Sequence, residues 1–322
     1  MSYVLETFNL SKRYKNQWAL KNVNMHVEKG DIYGFVGENG SGKTTIIRLV
    51  TGLISATEGY VELFGVKNDD PAILSQRKKI GAIVESPSIY TNMSAADNLR
   101  LQCSILGIKT NVEEKVKNVL LEVGLIEQYE SKKSASNFSL GMRQRLGIGM
   151  ALLGEPEFII LDEPMNGLDP AGIVEIRELI LKLNREKQIT FLISSHILSE
   201  LALVATKYGI ISKGKLVKEI TTEELKQEWM PSVLISANDN EKLFELVKNN
   251  FQLNNCAKTG QGVRVYGNVN LNELFKKVIE NGIEIENVVC SKFSIEDYYL
   301  SLIGGAKHDW FIKNWFKTRG KR

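Results

Sequence analysis

Short apolar runs that stop at a glycine or a polar pair set the rhythm of this chain. Asp31–Val36 (DIYGFV) ends at Gly37, Phe158–Leu161 (FIIL) at Asp162-Glu163, and Thr190–Ile193 (TFLI) at Ser194-Ser195. Runs this short, with little alternation, fit strands buried on both faces. Lys79–Val84 reads as another strand, and Ala171–Arg185 has helical periodicity. Buried strands alternating with helices predict a parallel α/β sheet. Tyr3–Phe8 and Leu20–Val27 have the mixed, alternating look of antiparallel strands. Residues 92–153 carry helix after helix without a strand, which predicts a helical subdomain inserted between two stretches of the sheet.

Gly209–Ile220 reads as a hairpin around Lys213-Gly214-Lys215. The pattern then restarts, with Thr221–Trp229 helical, Ser232–Ser236 extended, Glu241–Asn249 helical, Gly262–Tyr266 extended and Leu271–Glu280 helical. The expected organisation is therefore a first domain over 1–220, with its helical subdomain at 92–153, and a small α+β domain over 221–304. A tail over 305–322 follows.

Composition narrows the class. Of 322 residues, 43% are hydrophobic and 25% charged, the globular norm. No apolar run approaches the ~18 residues that cross a bilayer. The first stretch, MSYVLETFNLSKRYKNQW, lacks the apolar core of a signal peptide. Cys103, Cys256 and Cys290 lie far apart, without the spacing of a disulfide framework or a zinc site. A soluble chain in a reducing compartment is expected. The formal net charge is +3, but the tail holds six cations (Lys307, Lys313, Lys317, Arg319, Lys321, Arg322) against Asp309, so the rest of the chain is mildly acidic. A nucleic-acid surface is not indicated. At 100° per residue Phe311, Ile312, Trp315 and Phe316 share one arc, opposite Lys313 and Lys317. This basic amphipathic tail suits either an anionic membrane surface or packing on protein.

The chemistry begins at Gly37-Glu38-Asn39-Gly40-Ser41-Gly42-Lys43-Thr44-Thr45, which lies between a strand and a helix and fits GxxxxGK[ST]. Glycines let backbone N–H groups turn around phosphate oxygens, and the helix N-terminus adds partial positive charge. Lys43 is placed to reach the β and γ phosphates, and the Thr44 hydroxyl to ligate Mg²⁺. Asp162-Glu163 ends a buried strand, where open α/β sheets bind ligands. Asp162 is then placed to hold Mg²⁺ and Glu163 to polarise an attacking water.

With these motifs in order over residues 1–220, the chain closely resembles the nucleotide-binding subunits of ABC transporters. Asn137–Arg145 (NFSLGMRQR) resembles the signature, whose usual core is LSGGQ. Ser139 and Gly141 match it, while Leu140 replaces a glycine and Met142 the glutamine. Asn166-Gly167-Leu168-Asp169 resembles the D-loop, and His196 matches the switch histidine. Tyr14 falls where the family places an aromatic that stacks on adenine. Read alone, a helix over Ser139–Leu153 with a hydroxyl at its start is an anion site or an ordinary capped helix, and His196 is a sensor or a cap. After Lys79–Val84 the family usually has a glutamine that touches Mg²⁺ and faces the membrane partner; here it is Glu85. With SLGMRQRLGIGMAL and NGLDPAGI, that residue looks like the bacitracin and lantibiotic transporter group, which exports antimicrobial peptides or protects cells against them.

The resemblance implies an α/β P-loop NTPase of ABC type, with an antiparallel β subdomain, an inserted helical subdomain and a C-terminal α+β extension. It implies ATP and Mg²⁺ as cofactors. Gly37 through Thr45 and Tyr14 would hold nucleotide, and Thr44, Asp162 and Glu85 the metal. Lys43, Glu163 and His196 would be catalytic, while Ser139, Gly141 and Asp169 would complete the site across a dimer. Two copies, or this chain and a related ATPase, would pair and drive a separate transmembrane permease docked on 92–153, at the cytoplasmic face of the membrane. Two other readings stand beside this one. The cargo is a lipid, ion or drug, or the chain is a non-transport ABC ATPase of DNA repair or the ribosome. Against the latter count the lack of a long coiled-coil insertion, the single ATPase unit and the acidic body.

Overall fold

The unalternated apolar runs become the centre of a sheet. In chain order come β1 (Tyr3–Tyr14), β2 (Gln17–Val23), β3 (His26–Glu28), β4 (Ile32–Val36), α1 (Lys43–Val50), β5 (Glu58–Leu63), β6 (Val66–Lys67), α2 (Ile73–Arg77) and β7 (Ile80–Ile83). The inserted helices α3 (Ala95–Ile105), α4 (Val112–Glu122) and α5 (Leu140–Leu152) follow. Then come β8 (Phe158–Asp162), α6 (Pro170–Lys187), β9 (Thr190–Ser195), α7 (Leu198–Leu201), β10 (Lys207–Ser212) and β11 (Lys215–Thr221). The structure is a computed structural model that describes residues 2–228, 232–250, 256–266, 270–291, 298–299 and 302. Contacts divide the chain into two units, Met1–Thr221 and Thr222–Arg322. The tail at 305–322 lies outside the described residues. Among the described residues no helix is long and apolar enough to cross a membrane.

In the first unit a six-stranded sheet runs β11-β10-β4-β9-β8-β7, parallel except for the β10–β11 hairpin. Every residue of β4, β8 and β9 is buried, as strands covered on both faces must be. A second, antiparallel sheet runs β2-β1-β5-β6, with β3 also on β1. Leu5, Leu20, Val27, Val61 and Leu63 from this sheet join Phe35, Ile46, Phe158 and Leu192 in one core. Residues 92–153 are helical, with two 3₁₀ turns between α4 and α5.

Two readings of the antiparallel strands need correction. Leu20–Val27 is not one strand: β2 and β3 pair with opposite ends of β1 and part between Val23 and His26. Thr7 fills the break, its Oγ1 donating to the Val23 carbonyl at 3.0 Å and accepting from Met25 N–H at 2.9 Å. Likewise β1 does not end at Phe8. Asn9 takes a left-handed φ of +48°, which bulges the strand and lets it continue to Tyr14. The pattern missed β5 and β6 altogether.

The second unit opens with α8 (Thr222–Glu228), then β12 (Ser232–Ala237), α9 (Asn240–Asn250), β13 (Cys256–Thr259), β14 (Gly262–Tyr266), α10 (Leu271–Glu280) and β15 (Ile285–Ser291). From β12 on this is a βαββαβ chain whose sheet runs β13-β14-β12-β15, the split βαβ arrangement. Leu243 and Val247 of α9 and Leu274 and Val278 of α10 pack with Val233, Ile235, Val263 and Val265 of the sheet. The sequence pattern alone does not reveal β13 and β15.

One buried polar knot fixes β4, the strand that delivers the phosphate loop. Tyr33 Oη donates to Glu219 Oε1 at 2.8 Å, and Glu219 also accepts from His26 N–H at 2.9 Å. Burial, with Glu219 beside it, holds the Tyr33 phenol well above its usual pKa. Gly209 makes room for the ring, since a Cβ there would lie 2.1 Å from Tyr33 Oη. Neither the tethered ring nor the sheet can yield, so Gly209→Ala is expected to cost about 3 kcal/mol or more. Gly260→Ala, with nothing within 4 Å, should stay within about 0.5 kcal/mol of wild type. Thermal unfolding of both variants checks the contrast.

Candidate functional site

The phosphate loop leaves β4 at Gly37 and closes at Lys43, the first residue of α1. It is packed hard against its surroundings: a Cβ on Gly37 would lie 2.5 Å from the Ile211 carbonyl oxygen and from Ser41 Oγ. Gly42 has φ +112°, and a Cβ there would lie 2.6 Å from Leu20 Cδ2. Lys43 is buried, at 6% exposure. Its Nζ donates to the Gly37 carbonyl at 2.7 Å and the Glu38 carbonyl at 3.3 Å. Ser41 Oγ is buried and has no hydrogen-bond partner among the described residues. An orphan hydroxyl, a buried ammonium and a helix N-terminus with no acidic residue in its first turn fit a polyphosphate.

The end of β8 faces this loop. Asp162, 2% exposed, accepts from Thr44 Oγ1 at 2.9 Å on one oxygen and from Ser194 Oγ at 2.5 Å on the other. Glu163 turns out of the strand with φ +52°. Its N–H lies 3.0 Å from Ser194 Oγ and 3.2 Å from the Ser194 carbonyl. The Glu163 carboxylate is then gripped from both sides, with Lys43 Nζ 3.3 Å from Oε1 and His196 Nδ1 hydrogen-bonded to Oε2. The ammonium and the imidazole fix the orientation of this carboxylate beside the phosphate loop, the place for a proton acceptor.

Asn39, Thr44, Glu85, Asp162, Glu163, Asn166 and His196 line one open cavity of about 460 Å³. Glu85 shares it, but its carboxylate is paired with Arg48 of α1. Thr44 and Asp162 have the donor chemistry of a Mg²⁺ site, a hydroxyl beside a carboxylate at hydrogen-bond distance.

Other sequence-derived candidates lie outside this cavity. Ser139 caps α5, its Oγ accepting from Met142 N–H at 3.1 Å, and Gly141 opens the same helix. Asp169 caps α6, accepting from Gly172 N–H at 3.1 Å. Tyr14 ends β1, 45% exposed, with Lys12 Nζ 5.3 Å from its ring centre. Leu140, which stands where the signature has glycine, comes within 3.3 Å of where a Cβ on Gly167 would be. Sequence reasoning missed Ser194 and Arg48 and gave Asn166 no role at the site. Its one available signal was the polar pair at the end of β9.

A second cavity, a groove of about 490 Å³, opens behind β7, the edge of the sheet. Leu74, Val84, Pro87, Leu106 and Met150 line it together with Arg77 and Lys78.

The sequence profile of the ABC transporter family matches residues 20–166. The bacitracin transport ATP-binding protein BcrA of Bacillus licheniformis is 43% identical over 314 residues, which is 95% of this chain and 99% of that protein. The lantibiotic transport ATP-binding protein SrtF of Streptococcus pyogenes is also 43% identical, over 218 residues, 67% of this chain and 90% of its own length. Among solved structures, a dimeric ATP-binding cassette in a post-hydrolysis state, bound to ADP and Pi, superposes with a TM-score of 0.61 at 27% identity. It covers 67% of this chain and 98% of its own.

Proposed function

We propose, from the premise that this chain belongs to the ATP-binding subunits of ABC transporters, that it powers export of antimicrobial peptides of bacitracin or lantibiotic type, or self-protection against them. The observation that carries the cargo is coverage: the likeness to the bacitracin protein runs through 95% of this chain, beyond the cassette and into the second unit. The chain is an ATPase, and subunits of this kind act as dimers with membrane permease components.

In the mechanism we propose, Lys43 and the loop amides bind the phosphates and Tyr14 stacks on the base. Thr44 and Asp162 would hold Mg²⁺, whose chemistry is to neutralise charge on the phosphates. Glu163 accepts the proton of the attacking water, and His196 fixes the orientation of that carboxylate. Ser139, Gly141 and Asp169, each outside the chain's own cavity, meet the nucleotide held by a second ATPase subunit. The groove behind β7 takes the permease, and the tail at 305–322 adds contact at the membrane surface.

The test is resistance in a sensitive host carrying this chain and the permease that co-purifies with it from membranes. Tolerance to a bacitracin- or lantibiotic-type peptide should rise, and should fall to background with Glu163→Gln. Unchanged tolerance with an assembled, ATP-hydrolysing complex would move the cargo to a lipid, ion or drug.

A further inference from the structure

The wall between the two cavities is one turn of chain. Glu85 lines the nucleotide cavity, while its neighbours Val84, Ser86 and Pro87 line the groove. Ser86 N–H donates to the Val84 carbonyl at 2.8 Å, an i to i+2 bond that makes a γ-turn centred on Glu85. Glu85 has φ +65°. This positive-φ form of the γ-turn is rare and strained, and such strain persists only where the surroundings hold it. The hold visible here is Arg48, whose guanidinium donates to Glu85 Oε1. Arg48 sits one helical turn after Thr44 on α1, so the hydroxyl that meets Asp162 and the guanidinium that meets Glu85 share a helix face.

We propose that Arg48 is a positioning residue whose ion pair with Glu85 holds the strained turn and so fixes the shared wall of the nucleotide cavity and the groove. The link to the groove's occupant rests on the function proposed above; the hold on the turn does not. Both side chains are exposed, Arg48 at 40% and Glu85 at 60%, so the pair is weak. Weakness suits a latch. Glu85 lines the nucleotide cavity, so a cation bound there with the phosphates competes with Arg48 for its carboxylate. Once Glu85 is released the turn relaxes, and Val84 and Ser86 move where the groove would feel it.

Amide hydrogen exchange of residues 84–88 in the full chain, free of nucleotide, tests the hold. Arg48→Met and Glu85→Gln should each speed exchange about five-fold, the scale of an exposed ion pair. The double variant should be no faster than either single one, and Arg48→Lys should restore most of the protection. A non-hydrolysable ATP analogue with Mg²⁺ should speed the wild-type segment, with little further effect in Arg48→Met. Unchanged exchange in Arg48→Met, or single effects that add, would overturn the latch; a wild-type segment indifferent to the analogue would overturn its link to nucleotide. ATP hydrolysis by the wild type, measured in parallel, separates failure of the proposed function from failure of the latch.

Discussion

Glu163→Gln is expected to retain ATP binding while kcat falls by about 10²- to 10⁴-fold, the contribution of a positioned general base. The amide keeps the shape that lies between Lys43 and His196 but cannot take the proton. Closure on ATP would then proceed without the hydrolysis that ends it. The variant should accumulate as an ATP-bound dimer, visible by size exclusion with Mg²⁺ and ATP present. Steady-state hydrolysis near wild type would remove Glu163 from the role of base.

Lys43→Ala should act earlier, on binding itself. Its ammonium is buried and reaches Gly37, Glu38 and Glu163 at 2.7 to 3.3 Å. Without it the loop loses its charge-assisted donor, and the Glu163 carboxylate loses its paired ammonium. Affinity for ATP should weaken about 10²-fold or more, measured by equilibrium binding. Lys43→Arg should not rescue it, because a guanidinium is a planar fork and not a compact charge. The fingerprints differ: the glutamate variant binds without turning over, while the lysine variant does not bind.

The motif residues were legible because their partners are near in sequence or fixed by strand geometry. Gly37 to Thr44 form one loop whose spacing is its own constraint, and Asp162-Glu163 end a buried strand whose C-terminal edge must face the crevice. The antiparallel strands were less legible. β5 is half-exposed, with burial setting in only toward Val61 and Leu63, so its period is weak. The parting of β2 from β3 depends on Thr7, 16 residues before Val23.

By itself, then, the sequence determined the local chemistry: which residues carry charge, hydroxyl or imidazole, and which runs are apolar enough to be buried. Neighbours across the fold were settled only by tertiary structure. Ser194 reaches Asp162 across 32 positions and Thr44 reaches it across 118, distances over which spacing carries no information. Glu85 is the sharpest case. Its carboxylate was plain in the sequence, yet which cavity it faces follows from a left-handed backbone and an arginine 37 residues earlier. Side-chain identity is written residue by residue, whereas the direction a side chain faces is fixed by packing that only the closed fold provides.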